Sequence, residues 1–227
     1  MRQLPALFST PMVQAILEDR KTMTRRTRGL ERVNKCPDEW TITSDTTNKG
    51  ILFFNKSGFS ERMKPQYQVG DHIWIKEEYY ASGYWVTTGE KTKTGKPEKM
   101  FVDNTLNVID QTYFYFDSKP DSFRIDRNTV RGSWFKRSSL FMPKKAARIW
   151  LECTGVRCER LQDITETDAI AEGILKGESK FMNYHTKKFE FINGKYSFYS
   201  LWVKKNSEDS YYLNPWVFIY EFKRINP

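Results

Sequence analysis

The chain has 227 residues, 39% hydrophobic and 15% aromatic, enough to bury the core of one large domain or two small ones, and one domain is expected. Its 37 Lys and Arg outnumber 28 Asp and Glu for a formal net charge of +9, and polyanions are the natural partners of such an excess. No apolar run approaches the roughly 18 residues of a membrane span, and the opening MRQLPALFSTP lacks the apolar stretch of a secretory signal, so the expectation is a cytoplasmic protein without membrane contact.

In chain order, Ser9 and Thr10 before Pro11 mark a helix start, because a hydroxyl caps free N–H groups and proline suits the first turn. Val13, Ile16 and Leu17 give that helix one apolar stripe. It must stop near Arg20, since Lys21-Thr22-Met23-Thr24 alternates polar with apolar as a strand does. Lys21 therefore stands on a helix-to-strand corner, with the Thr24 hydroxyl three residues on and able to reach the same pocket. Arg20, Arg25 and Arg26 nearby disfavour the charged form of Lys21, which would make it a better base. The plain alternative is a solvated corner lysine beside an ordinary strand threonine. From Arg20 to Lys35 seven residues are basic and one, Glu31, is acidic, so the charge excess is concentrated here, either as a phosphate-binding surface or as a solvated face.

Arg28 to Lys49 is polar and turn-rich, punctuated by Pro37 and Asn48, with a strand expected at Trp40 to Thr43 and a buried one at Ile51 to Phe54. Gly70-Asp71 makes a turn before a strand in which Ile73 and Ile75 share one face. Glu77 and Tyr79 continue that parity. An inward carboxylate needs a partner, for which Lys21 is a candidate; otherwise the strand ends by Lys76 and Glu77 meets water.

Residues Ala81 to Ser133 read as a β-rich insertion, with a hairpin tip in Gly89 to Lys96 and a strand at Tyr113 to Phe116. Its aromatics serve either sheet packing or base stacking. Phe141 to Arg160 reads as a strand pair with a turn or bulge at Gly155, and Thr165 caps a short helix, Glu166 to Glu172, that Gly173 stops. A lysine-rich segment, Gly177 to Lys195, is expected to be mobile. Phe198, Leu201 and Trp202 then line one face of a helix, and Asn214 to Ile225 is a closing strand.

The sum is an α+β protein built on a bent, mainly antiparallel sheet or small β-barrel with short flanking helices. Three cysteines without a C-x-x-C pair, and histidines only at His72 and His185, imply no metal site. Without G-x-G-x-x-G or a P-loop, no nucleotide cofactor is implied either.

Four stretches, ILEDRKTMTRR, VGDHIWIKEEY, FMPKKAARIWLECTGVRCERLQDITETDAIAEGI and NPWVFIYEFKRI, together resemble the ASCH-domain proteins often encoded in phages and prophages. The resemblance implies a PUA-like β-barrel and RNA or a modified nucleoside as partner, and the basic cluster from Arg20 to Lys35 adds single-stranded nucleic acid as an expected partner. Small bacterial members are N4-acetylcytidine amidohydrolases that use a lysine and a threonine three residues apart and a glutamate on a later strand. Lys21, Thr24 and Glu77 match that pattern. Arg20, Arg25 and Arg26, with Lys144, Lys145 and Arg148, are the expected nucleic-acid contacts. A non-enzymatic reader of RNA or modified bases, and an ASCH-type ribonuclease, are the alternatives.

Overall fold

The structure, a computed structural model, describes residues 1–47, 50–127 and 132–226, and the side chains of these except 43–47. Asn48, expected to punctuate the early loop, lies outside the described residues. Strand β1 (Gln3–Leu7), helix α1 (Thr10–Leu17) and strand β2 (Met23–Arg26) come first, followed by β3 (Trp40–Thr47), β4 (Gly50–Asn55) and β5 (Ser60–Met63). Next are β6 (His72–Lys76), β7 (Tyr79–Lys91), β8 (Pro97–Asp103), β9 (Phe114–Tyr115) and β10 (Ser133–Arg137). The last third holds β11 (Trp150–Arg160), α2 (Glu166–Ala171), β12 (Phe181–Asn183), β13 (Lys188–Phe191), α3 (Gly194–Lys205), α4 (Glu208–Tyr212) and β14 (Trp216–Ile225).

This is a mixed α+β fold dominated by sheet. The largest sheet has the order β1-β6-β11-β14-β2, and among the described residues none of the sheets closes into a barrel. The pairings β11–β14, β14–β2, β3–β4, β4–β5, β7–β8, β7–β9, β7–β10 and β12–β13 are antiparallel. The chain divides into two compact units, Met1–Leu4 with Gln14–Ile73 and Ile149–Pro227, and Pro5–Val13 with Trp74–Arg148.

In the first unit β14 supplies the spine. Val217, Phe218, Ile219 and Tyr220 are all fully buried, so the strand is apolar on both faces as a central strand must be. Trp216 meets Phe53 edge-on at 5.3 Å and Tyr220 meets Tyr67 at 5.0 Å, fixing the β3-β4-β5 meander and the loop after it against this spine. The 141–160 region holds one long strand rather than a pair. Its register shifts between Cys153 and Gly155, where a Cβ would stand 2.6 Å from the Glu221 carboxylate, so Gly155 is a bulge. The segment 177–195 contains the β12–β13 hairpin, which the lysine-rich composition concealed.

The second unit has its own core of Tyr79, Ala81, Tyr113, Tyr115, Met142 and Ala146. The expected insertion, Ala81 to Ser133, falls inside this unit. Its hairpin tip turns at Thr92 to Lys96, where the Thr92 N–H donates to the Lys96 carbonyl at 2.8 Å.

Candidate active site at the exit of the first helix

Helix α1 ends one turn before Arg20 because Asp19 adopts a left-handed φ of 56°, which breaks the helical ladder and swings Lys21 inward. The Arg20 and Lys21 N–H groups still reach back to the Ala15 carbonyl at 2.9 and 3.0 Å, so the corner is rigid. Lys21 is 3% exposed. Its Nζ donates to the Met23 carbonyl at 2.8 Å, to the Glu172 carbonyl at 2.8 Å and to Glu172 Oε2 at 2.7 Å. The Met23 carbonyl belongs to the peptide that joins Met23 to Thr24, so the amine is anchored one peptide group from the Thr24 Cα.

Glu172 is delivered by α2. The Thr165 hydroxyl accepts from the Asp168 N–H at 3.1 Å and starts the helix, and Gly173 ends it at φ +86°. A Cβ on Gly173 would lie 2.8 Å from Lys21 Cβ and 2.9 Å from Ala15 Cβ. Only glycine both turns the chain there and lets the lysine stem lie against it.

Burial drives the Lys21 ammonium below its ordinary value. Glu172 opposes that shift through charge and hydrogen bonding, while Arg26 and Arg25 add to it. Lys205, at the end of α3, is an exposed residue whose ammonium is nevertheless pushed down to about 8. Desolvation of the head group comes first, then the charges of Lys21 and Arg26. Thr24 is 8% exposed, and no described protein group hydrogen-bonds its hydroxyl. Lys21 and Thr22 also line a cavity of about 340 Å³ with Ile16, Asp19 and Phe222.

Arg25, expected to hold phosphate, is a buried strut instead. Its side chain is 1% exposed and pairs with Glu159 and Asp168 at 2.7 Å and with Glu172 at 3.3 Å. It lies on the side of β2 that faces α2, where these carboxylates neutralise it, and strand alternation turns the Thr24 side chain to the other side, so its hydroxyl meets the Lys21 amine only around the edge of β2. Arg157 joins the network through Asp168 at 2.6 Å and through Glu221. Arg20 is held by Glu18 at 2.5 Å and donates to the Gly173 carbonyl at 2.8 Å, and Arg26 is half-buried.

The sequence offered Lys21 as the partner of Glu77; the structure gives Lys21 to Glu172 and Glu77 to Arg148. β6 ends at Lys76, as the plain alternative had it, yet Glu77 does not meet water: it is 1% exposed and lies in the second unit. Arg148 donates Nε to Glu77 Oε1 at 2.9 Å and an Nη to Oε2 at 3.0 Å, a two-pronged geometry that lysine cannot supply. Burial still raises the Glu77 carboxyl above the usual range, against the pull of Arg148. Arg148 also takes Asp117 at 2.8 Å and lies 4.0 Å from the Tyr115 ring centroid, so this expected phosphate contact is committed to protein. Lys144 and Lys145 are exposed, the latter 3.8 Å from Asp103.

Glu172, Asp168, Glu159 and Arg157 are the site residues that sequence reasoning missed. The available signal was a glutamate immediately before the stop glycine of a capped helix, together with a buried lysine that required a carboxylate. Among the described residues no cluster of three or more His, Cys, Asp or Glu is placed to hold a metal, and no helix is long and apolar enough to cross a membrane. Compared with family models, curated proteins and solved structures, the chain gives no match.

Proposed function

We propose that the first unit hydrolyses the acetyl amide of N4-acetylcytidine or a related acylated cytosine, as nucleoside or within RNA, using Lys21, Thr24 and Glu172. The observation that carries this reading is a fully buried lysine, held below its ordinary pKa, bonded to a buried glutamate and to the peptide preceding an unbonded threonine hydroxyl. This hydrolysis needs those three functions: an amine that can accept a proton, an acid that holds it, and an oxygen nucleophile or water-positioning group.

The proton balance closes on these residues. The Thr24 oxygen, or a water held by it, adds to the acetyl carbon while its proton moves to the Lys21 amine. The adduct then collapses, the bond from carbon to cytosine N4 breaks, and Lys21 returns the proton to N4. Where Thr24 is the attacking group, water releases acetate and restores the hydroxyl. Glu172 orients the amine and shares its proton across 2.7 Å. In this reading the family resemblance supplies the reaction, the acid is Glu172 rather than Glu77, and the five-stranded sheet is an opened form of the PUA-like barrel.

A second reading, a non-catalytic reader of modified bases, is favoured by one observation. The three acceptors around Lys21 Nζ satisfy all three protons of an ammonium. Incubation with N4-acetylcytidine and chromatography of the products separates the two. The hydrolase releases cytidine, with activity lost in Lys21→Met and Glu172→Gln and kept in Thr24→Ser. The reader retains RNA and leaves the acetyl group in place.

A further inference from the structure

We infer that a cleft in the second unit, walled by β7, β8 and β10, binds a phosphorylated nucleotide unit of single-stranded RNA. The inference stands independently of the hydrolytic site. The cleft has a volume of about 690 Å³, within the range of small-molecule sites, and Trp85, Phe101, Phe141, Lys99, Arg127 and Arg137 shape it.

Its chemistry is one-sided. The Arg137 guanidinium carbon lies 4.6 Å from the Trp85 ring centroid, 4.2 Å from that of Phe101 and 6.0 Å from that of Phe141. Arg127 stacks on the same indole at 5.0 Å. Among the described residues neither arginine forms an ion pair with a carboxylate. Of the acids in the wall, Asp126 stands 3.5 Å from Arg124, and Glu98 is outnumbered by Lys99, Arg127 and Arg137, Lys136 being paired with Glu78 at 2.9 Å. The cluster is also short of acceptors: Trp85, 7% exposed, has its indole N–H buried without one, and so does Arg137 at Nε. Buried donors without partners are rare in folded proteins, and among the described residues the one acceptor for the Arg137 side chain is the Tyr79 hydroxyl.

A phosphate supplies such acceptors, and arginine is the side chain best suited to take it. The remaining surface calls for a flat ring: Phe141 is 62% exposed and Met100 56%, so a base can lie on the aromatic wall while its phosphate meets the arginines. A carboxylate peptide would satisfy the cations and leave those faces unused.

The test is fluorescence anisotropy of a labelled oligouridylate on the full chain, with circular dichroism to verify folding. Arg127 is exposed, so Arg127→Ala leaves the core intact; it should weaken binding and flatten the log–log salt slope by about 0.7. Arg137→Lys keeps the charge but loses the planar stack, and should weaken binding about tenfold or more. Both variants should deacetylate as wild type does. Wild-type affinity in both folded variants would overturn the inference, as would displacement of the oligouridylate by polyglutamate at equal charge concentration, which would make the cleft an acidic-peptide site.

Discussion

In the proposed hydrolase Lys21 decides the chemistry, because its three bonds and its burial pull in opposite directions. Each acceptor stabilises the proton, while desolvation, with Arg26 and Arg25, expels it, and the net direction is downward. Between the folded pKa and the ordinary lysine value of 10.5 the unfolded chain holds a proton that the folded chain has given up, so stability rises with pH across that window. Lys21→Met removes the group, and the unfolding free energy of wild type minus that of the variant should climb with pH and level off near 10.5 in urea titrations; a flat difference refutes the lowered pKa. The same variant should lose about a hundredfold or more in deacetylation. Arg25→Ala should behave differently, costing about 3 kcal/mol of stability in urea because it takes a cation from the buried Glu172 and from the half-buried Glu159 and Asp168. An unchanged midpoint would mean that the network is not structural. At this scale the sequence was half legible. Lys21 and Thr24 stood out because they are three residues apart on a corner. Glu172 did not, because 151 residues separate it from the lysine, and no local pattern reports a contact closed only by the fold.

At the scale of elements, the site is the meeting of a helix exit and a helix end. Helix α2 was readable before folding, since Thr165, Asp168 and Gly173 are local capping signals that act within one turn. What they could not show is that α2 sets its last residue against the start of β2, which depends on a bridge between Lys21 and Glu172 and on the Thr22 N–H donating to the Ala171 carbonyl at 2.9 Å. Gly173→Ala tests that junction. The added methyl meets Lys21 Cβ and is strained at φ +86°, so the variant should lose about 1–3 kcal/mol of stability and a larger share of activity than of fold. Full activity would show that the Lys21 stem has room to move. The β12–β13 hairpin escaped notice because its strands are short and Lys188 to Glu190 are exposed, leaving no apolar alternation to read.

For the whole molecule, a net charge of +9 predicts that the proposed RNA binding depends on salt, with each phosphate contact contributing about −0.7 to the log–log slope. Arg25 and Arg148 are spent on internal carboxylates, so the slope should depend instead on exposed groups: replacing Lys144 and Lys145 by alanine should flatten it, and an unaltered slope would place the phosphates elsewhere. The alternation of short strands and helices announced an α+β chain, and the burial of β14 on both faces was visible in its composition. The division into two units was not, because Tyr79, Tyr113 and Met142 gather into a second core only after the long β7 strand has brought distant segments together. The most direct measurement is release of cytidine from N4-acetylcytidine by Glu172→Gln and Glu77→Gln side by side with wild type. Turnover is expected from wild type, its loss in Glu172→Gln, and substantial activity in a folded Glu77→Gln. Loss in Glu77→Gln with activity intact in Glu172→Gln, or no cytidine from wild type, would contradict the proposal.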